Sequence, residues 1–163
     1  RAAREARAAR AAAAKAAVDE WREQQRLMQQ PSGPHRRTAS EWTKLGDRGG
    51  GKMDGDPFNR HSCYGKAVAA DPKFALAWRG LADTGGSFFG GVTFSITDCL
   101  ITAIEADSGV AGAWAELATE IGFGGNVIVG GRSYSSKECM KKALELDPGY
   151  AREMLVRRVE ARV

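Results

Sequence analysis

The sequence predicts an all-α protein: a short α-solenoid of three helical hairpins, with a C-terminal capping helix and a long, basic N-terminal helix. A Trp-x-x-Leu motif begins at Trp42, Trp78 and Trp114, at a constant spacing of 36 residues. A Cys-x-x-x-Ala-x-x-x-Asp motif follows in each unit. Periods of roughly 20 to 50 residues indicate stacked units that bury their apolar faces against one another. The predicted repeat core is Trp42, Leu45, Cys63 and Ala67, then Trp78, Leu81, Cys99 and Ala103, then Trp114, Leu117, Cys139 and Ala143.

The predicted organisation has three parts. An N-terminal arm is followed by a linker rich in Pro and Gly, and the solenoid takes up the rest of the chain. The boundaries are residues 1–30 for the arm, 31–40 for the linker, and 41–163 for the solenoid, with repeats at about 41–76, 77–112 and 113–150 and a cap at 151–163.

The arm is predicted to be one helix over residues 2–28, because Ala, Arg, Glu and Gln dominate it and no Gly or Pro precedes Pro31. Its large apolar residues are Val18, Trp21, Leu27 and Met28. This stripe is narrow, so we expect the first half of the helix to project from the array. Residues 1–40 hold nine Lys/Arg and four Asp/Glu, so the arm carries the positive charge of a chain whose net charge is +4.

Each unit begins with a short helix in which Trp and Leu share one face. A glycine-rich connector follows, at residues 49–55, 85–91 and 124–131. Glycines that flank a few apolar residues are typical of a tight loop or a minimal hairpin.

The second helices are predicted to begin at an aromatic residue followed by an N-cap residue. Ser135 and Glu138 have the spacing of a capping box, and Ser95 and Asp98 form a close relative of it. Pro72 and Pro148 are expected to open the following helices. The final segment has Met154 in the Trp position and an Arg-rich face, as is typical of a terminal cap.

The motifs Ala67-Val-Ala-Ala-Asp-Pro72, Trp78-x-x-Leu81 and Ala143-Leu-Glu-Leu-Asp-Pro148 resemble the tetratricopeptide repeat over roughly residues 40 to 155. The units are 36 or 40 residues long instead of about 34, with the excess in the connector. The resemblance implies a concave groove lined by the first helices. The groove positions do not match the Lys/Asn clamp with which some members hold a peptide C-terminus, so binding of a chaperone tail is disfavoured. These positions are Thr43, Asp47, Arg79, Asp83, Ala115 and Thr119.

Catalytic and metal chemistry find little support in the sequence. The stretch from Gly46 to Lys52 has P-loop spacing, but Met53 replaces the required Ser/Thr and a helix precedes it. His35 and His61 lack partners at metal or triad spacing. An enzyme, a cofactor and a small-molecule substrate are therefore not expected, and no apolar run is long enough for a transmembrane segment.

The three cysteines stand at equivalent repeat positions, which indicates a packing role and not a disulfide framework or a zinc site. Free buried thiols favour a reducing intracellular compartment. The Arg-rich stretch at residues 1–10 has some character of a transit peptide, so location in a mitochondrion or plastid is a second hypothesis.

Two surfaces are candidates for partner binding. The apolar connector residues either pack on the next unit or insert into a partner, and they are Phe88, Phe89, Val127, Ile128 and Val129. The second surface is a row of arginines three residues apart, which suits nucleic-acid phosphate, anionic lipid or an acidic protein groove, unless the helix is simply solvated. The row consists of Arg1, Arg4, Arg7 and Arg10.

The expected function is a non-enzymatic protein–protein interaction scaffold, an accessory subunit bound to other proteins of a larger assembly, with an organellar, energy-transducing membrane complex as one setting. The alternative is an RNA-associated organellar factor, such as a ribosome accessory protein, in which the basic helix contacts phosphate. The sequence does not identify the partner.

Overall fold

The computed structural model describes residues 1–28, 37–53, 55–89 and 91–160. Within these residues the chain forms eight helices and three two-stranded hairpins, which confirms a mainly helical protein. The elements are α1 (Ala2–Met28), α2 (Ala39–Asp47), β1 (Gly50–Met53), β2 (Asp56–Asn59), α3 (Arg60–Ala70), α4 (Ala75–Asp83), β3 (Ser87–Phe89), β4 (Val92–Phe94), α5 (Ile96–Ala106), α6 (Ala111–Glu120), β5 (Asn126–Val129), β6 (Arg132–Ser135), α7 (Ser136–Leu146) and α8 (Pro148–Glu160).

Three helix pairs follow one another along the chain. α2 packs on α3, α4 on α5, and α6 on α7, and an antiparallel hairpin connects the two helices of each pair. Neighbouring pairs touch where α3 meets α4 and α5 meets α6, and α8 packs on α6 and α7.

The connectors form antiparallel hairpins, and the third of them has a two-residue turn. In the third hairpin Val129 pairs with Arg132, and the turn glycines Gly130 and Gly131 have φ of 56° and 81°. Two consecutive positive φ values suit the right-handed twist of a hairpin, and glycine adopts them without steric cost. Of the two alternatives, a tight loop or a minimal hairpin, the structure shows the hairpin. The longer third unit carries extra residues before the hairpin, since residues 121–125 separate α6 from β5 whereas residues 84–86 separate α4 from β3.

The predicted caps of the second helices are present. Ser95 and Asp98 form a capping box at α5, and Ser135 and Glu138 form one at α7. At α3 the side chain of Asn59 accepts a hydrogen bond of 2.8 Å from the backbone N–H of Ser62. Such side chains satisfy backbone donors that the first helical turn leaves without partners.

Two predicted helix starts need correction. Pro148 opens α8 as expected, but Pro72 lies in the turn before α4, which begins at Ala75. α2 begins at Ala39, inside the predicted linker, because Thr38 and Glu41 form a capping box there. The rest of the linker, residues 29–36, lies outside the described residues.

The repeat markers lie in the core. The markers with no exposed surface are Leu81, Leu117, Cys63, Cys99, Cys139, Ala67, Ala103 and Ala143. Trp78 is 2% exposed and Trp114 is 3% exposed, whereas Trp42 and Leu45 of the first unit are half-buried.

The long N-terminal helix has the predicted bounds, but the expectation that its first half projects is wrong. α1 lies against α3 and the β3–β4 hairpin, and Val18 is only 3% exposed. Farther toward the N-terminus, Arg10 forms an ion pair of 3.1 Å with Asp98 of α5. The narrow apolar stripe of α1 packs against the β3–β4 hairpin, which lies beside α3. Helical periodicity alone does not reveal this neighbour.

Candidate partner-binding groove

An open groove of about 540 Å³ runs along one side of the helix pairs. Side chains from α2, α3, α4, α6 and α8 line it, so it spans all three pairs and the last helix. The lining residues are Thr43, Asp47, Arg60, Tyr64, Leu76, Arg79, Gly80, Asp83, Glu116, Tyr150, Met154 and Arg157. Three arginines and three carboxylates are among them.

A hydrogen-bonded triad links α4, α6 and α8 in this groove. Arg79 Nε and Nη2 donate to Glu116 Oε1 at 2.9 and 2.7 Å. Arg79 Nη2 also donates to the hydroxyl of Tyr150 at 2.7 Å, and that hydroxyl donates to Glu116 Oε1 at 2.9 Å. Each charged group is therefore oriented by two partners on neighbouring helices.

The electrostatics of the triad favour a charged Arg79 and a neutral Tyr150. Burial disfavours the charge on Arg79, but the hydrogen bond and charge of Glu116 outweigh burial and raise the Arg79 pKa. Burial, together with the Glu116 carboxylate, raises the pKa of Tyr150 to about 12. At neutral pH the guanidinium of Arg79 is thus charged and the phenol of Tyr150 is neutral.

Gly112 of α6 makes room for the triad. A Cβ atom at this position would lie 2.5 Å from Arg79 Cζ, so any side chain there would displace the guanidinium. Because Gly112 has no side chain, the guanidinium of Arg79 fits between α4 and α6.

A second polar cluster occupies the other end of the groove. Arg60 Nη2 donates to Asp83 Oδ2 at 2.7 Å and to the hydroxyl of Tyr64 at 3.3 Å. The Tyr64 hydroxyl donates in turn to Asp47 Oδ1 at 2.8 Å. The hydrogen bonds from Arg60 to Tyr64 and Asp83 raise the pKa of this arginine. The cluster joins the start of α3 to the ends of α2 and α4.

The ring of Tyr64 fills the space between two glycines. Cβ atoms at Gly46 and Gly80 would lie 2.7 and 2.5 Å from ring carbons of Tyr64. Tyr64 is 1% exposed, so its ring is a spacer between α2 and α4 and only its hydroxyl reaches the groove. Ring and glycines together set the distance between the first two pairs.

Apolar residues line the groove together with the two polar clusters. Leu76 is 46% exposed on α4, and Met154 of α8 lies partly buried at the groove wall. Apolar surface beside oriented charges of both signs suits the binding of a peptide or protein.

Four of the six groove positions expected from the family resemblance line the observed groove: Thr43, Asp47, Arg79 and Asp83. Ala115 is fully buried, and the hydroxyl of Thr119 donates to the Ala115 carbonyl at 3.0 Å.

Sequence reasoning missed the groove residues of α3 and α8, and also Leu76, Gly80 and Glu116. Tyr64 had a usable signal, since Gly46 and Gly80 stand on the two first helices that flank it. Glu116 and Tyr150 had none, because their contact with Arg79 joins residues 37 and 71 positions from it in the sequence.

The apolar connector residues divide into two groups. Phe89, Val127 and Val129 are 4%, 8% and 6% exposed, so their assignment to partner contact is wrong: they pack inward from their hairpins. Phe88 is 65% exposed and Ile128 is half-buried, and these two remain accessible. Alternation along a strand turns neighbouring residues to opposite faces, which separates Phe88 from Phe89.

The arginine row also divides. Arg1 pairs with Glu5 at 3.2 Å on the helix surface, and Arg4 is exposed. Arg10 pairs with Asp98 of α5 although its side chain is 66% exposed, and the half-buried Arg7 lies near Asp98 and Glu105. The row therefore does not present four free guanidinium groups.

The stretch with P-loop spacing forms a different structure. Gly46 lies in α2 and Lys52 in β1, where the side chain of Lys52 is exposed.

The histidines form no metal site among the described residues. His61 Nδ1 lies 3.0 Å from Thr84 Oγ1, and His35 is outside the described residues. No group of three or more potential metal ligands occurs among the described residues.

The three cysteines are free and buried. Burial, with a smaller contribution from Asp98, raises the pKa of the Cys99 thiol to about 12. Burial also raises the pKa of Cys139 to about 11. Both thiols stay protonated and chemically inert at neutral pH.

The fold and groove define the class as a mainly helical protein of paired helices with hairpin connectors. In comparison with known proteins, no family model, curated protein or solved structure matches the chain. In the described part of the chain, no helix combines the length and apolar character needed to cross a membrane.

Proposed function

We propose that this chain is a non-enzymatic interaction scaffold: a short solenoid of three tetratricopeptide-like units, in which the groove receives a segment of a partner protein. The observation that carries the proposal is Leu76, which is 46% exposed in the groove on α4, one turn before Arg79. Apolar contact supplies affinity, and the flanking charges supply orientation and selectivity.

The oriented side chains support binding over a purely structural role. The charged groups of the groove are already held by hydrogen bonds, so a partner orders few side chains when it binds. Because arginines and carboxylates are equal in number, the preferred partner segment carries an apolar residue and charges of both signs, and not a single block of like charge.

The wider role we propose is that of an accessory subunit, which binds other subunits of a larger assembly in a reducing compartment, with a mitochondrion or plastid as one location. The fully buried, protonated thiols are consistent with a reducing compartment. An RNA-associated factor is the alternative. It has less support, because Arg7 and Arg10 are directed at carboxylates of α5.

Gradient sedimentation of the tagged chain in a gentle extract of its native source tests the proposal. We expect migration in a particle much larger than 17.5 kDa, with or without RNase treatment. Replacement of Leu76 by Asp should shift the chain to the top of the gradient, because a buried, unpaired charge opposes docking.

The matched control is Leu146→Asp. Leu146 is 44% exposed on α7 and does not line the groove, so this variant should stay with the particle. Collapse of the particle on RNase treatment would favour the RNA alternative. A free, small species in every sample would contradict the accessory-subunit proposal.

A further inference from the structure

The surface beneath α1 has an aromatic floor. The ring of Trp21 in α1 lies 4.9 Å from the ring of Phe89 in β3. Phe89 lies 5.8 Å from the rings of both Trp78 and Phe94, so the floor is continuous with the repeat core. Aromatic rings at these distances make favourable tilted or edge-on contacts.

α1 uses a single narrow seam to lie on this surface. Arg7, Ala14, Ala17, Val18 and Trp21 turn inward, and the other described side chains of α1 are exposed. This spacing of three, four and seven residues is that of one helix face. Trp21 is the one large apolar side chain among these five, so among the described side chains of α1 it supplies most of the apolar contact.

The rim of the surface is acidic and meets the basic end of the seam. Arg10 Nη2 lies 3.1 Å from Asp98 Oδ2, and Arg7 faces both Asp98 and Glu105. Opposite charges at the edge of an apolar contact select and orient the helix that binds.

Asp98 and Glu105 are held in place without α1. Asp98 Oδ2 accepts hydrogen bonds of 3.0 and 2.7 Å from the backbone N–H and the hydroxyl of Ser95. Glu105 Oε1 accepts one of 3.0 Å from the backbone N–H of Gly130. The acidic rim therefore belongs to the body of the protein and would remain if α1 left.

The fit of α1 to this site is incomplete. Arg7 Nη2 is buried and has no hydrogen-bond partner among the described residues. A buried donor without an acceptor weakens the docked state. Small alanines at 14 and 17 also leave the apolar contact mainly to Val18 and Trp21, so a helix with larger apolar residues at positions 14 and 17 would gain contact area.

We propose that this surface, separate from the groove, is a binding site for a basic amphipathic helix of a partner protein, and that α1 is an exchangeable occupant which such a helix displaces. The partner helix carries an aromatic residue in place of Trp21 and Arg or Lys three and four turns toward its N-terminus, opposite Asp98 and Glu105. Covalent attachment gives α1 a high effective concentration, which holds the site closed until a better-fitting helix competes.

A peptide supplied in trans tests the proposal. The probe is a fluorescent synthetic peptide of residues 2–28, and fluorescence anisotropy measures its binding to the full chain. The Trp21→Ala chain, whose own α1 is weakened, should bind this peptide at least about tenfold more tightly than the wild-type chain does. Binding should weaken as salt rises, because the rim pairs are partly exposed.

Matched peptides separate the two parts of the site. A peptide with Trp21→Ala should lose binding, and one with Arg7→Gln and Arg10→Gln should bind more weakly and lose most of its salt dependence. A full chain with Arg7→Gln and Arg10→Gln provides the second test, since these changes loosen α1 without removing Trp21. It too should bind the unmodified peptide more tightly than the wild type, and it decides the matter if Trp21→Ala unfolds the protein.

Equal, weak binding of the peptide to wild-type and folded variant chains would overturn the proposal, and so would equal binding of the peptide that lacks Trp21. Dimerisation of the wild-type chain that the peptide reverses would also overturn it, because the natural occupant would then be α1 of a second copy. None of these results depends on Leu76, so the experiments on the groove test a separate proposal.

Discussion

The indole ring of Trp78 lies 5.3 Å from the ring of Phe94, the last residue of β4. The same relationship recurs in the other units, where Trp42 lies 5.1 Å from Phe58 and Trp114 lies 5.1 Å from Tyr134. In each pair, the aromatic residue just before the second helix thus contacts the Trp of the first helix. This contact folds every hairpin back onto its own helix pair.

Truncation of Trp78 should be the most damaging change to the core. Trp78 is 2% exposed, and its indole N–H donates a hydrogen bond of 2.8 Å to the Pro72 carbonyl. Trp78→Ala should lower the free energy of unfolding by about 3 to 5 kcal/mol, as measured by urea denaturation. Leu76→Ala on the same helix is the control and should change it by less than about 0.5 kcal/mol. Equal effects would contradict the assignment of Trp78 to the core.

Two glycine substitutions should change the stability of the fold in opposite directions. Gly80→Ala should destabilise the fold, because the new Cβ would lie 2.5 Å from the Tyr64 ring. Gly65→Ala meets no heavy atom within 4 Å in the middle of α3, so it should stabilise the protein by about 0.5 to 1 kcal/mol through helix propensity. Thermal melting measures both. If Gly80→Ala also raised the melting temperature, the spacer role of Tyr64 would be refuted.

The capping box of α7 should make stability depend on pH in acid. Hydrogen bonds from the backbone and side chain of Ser135 lower the pKa of Glu138 below its ordinary 4.5. The unfolded chain therefore binds this proton first, so the contribution is complete above about pH 4.5 and is lost as the pH falls through the folded-state pKa.

Glu138→Gln separates charge from geometry, because Gln can still accept the backbone hydrogen bond of a capping box. The variant should lose less stability than the wild type between about pH 6 and about pH 3, measured as the urea midpoint. Glu41, in the box at α2, should account for part of the loss that remains. Parallel pH profiles for the two proteins would count against this explanation.

The cysteines should report on folding. Cys63, Cys99 and Cys139 have no exposed surface, and burial raises their pKa values. We expect the native chain to resist alkylation by iodoacetamide at mildly alkaline pH, and all three thiols to react in urea. Mass spectrometry counts the modified sites. Fast reaction of a native thiol would show that its unit opens locally.

Much of the fold was predictable from local patterns. The bounds of α1, the caps of α5 and α7 and the hairpin character of the connectors all follow from features within a few residues of each other. The candidate site was less accessible. Arg79 and Asp83 were expected to line a groove from the family resemblance alone, but Glu116 and Tyr150 are brought to Arg79 only by the packing of α4, α6 and α8.

The sequence by itself determined the helix pairs, their caps and their buried markers, because periodicity and capping act over one or two turns. Only the tertiary structure decided which way Phe88 and Phe89 turn, where α1 lies, and which arginines are engaged. These outcomes depend on the neighbour that each surface meets, as Arg10 meets Asp98 across 88 residues of chain. No local pattern encodes such a pairing, since it results from the way whole elements pack.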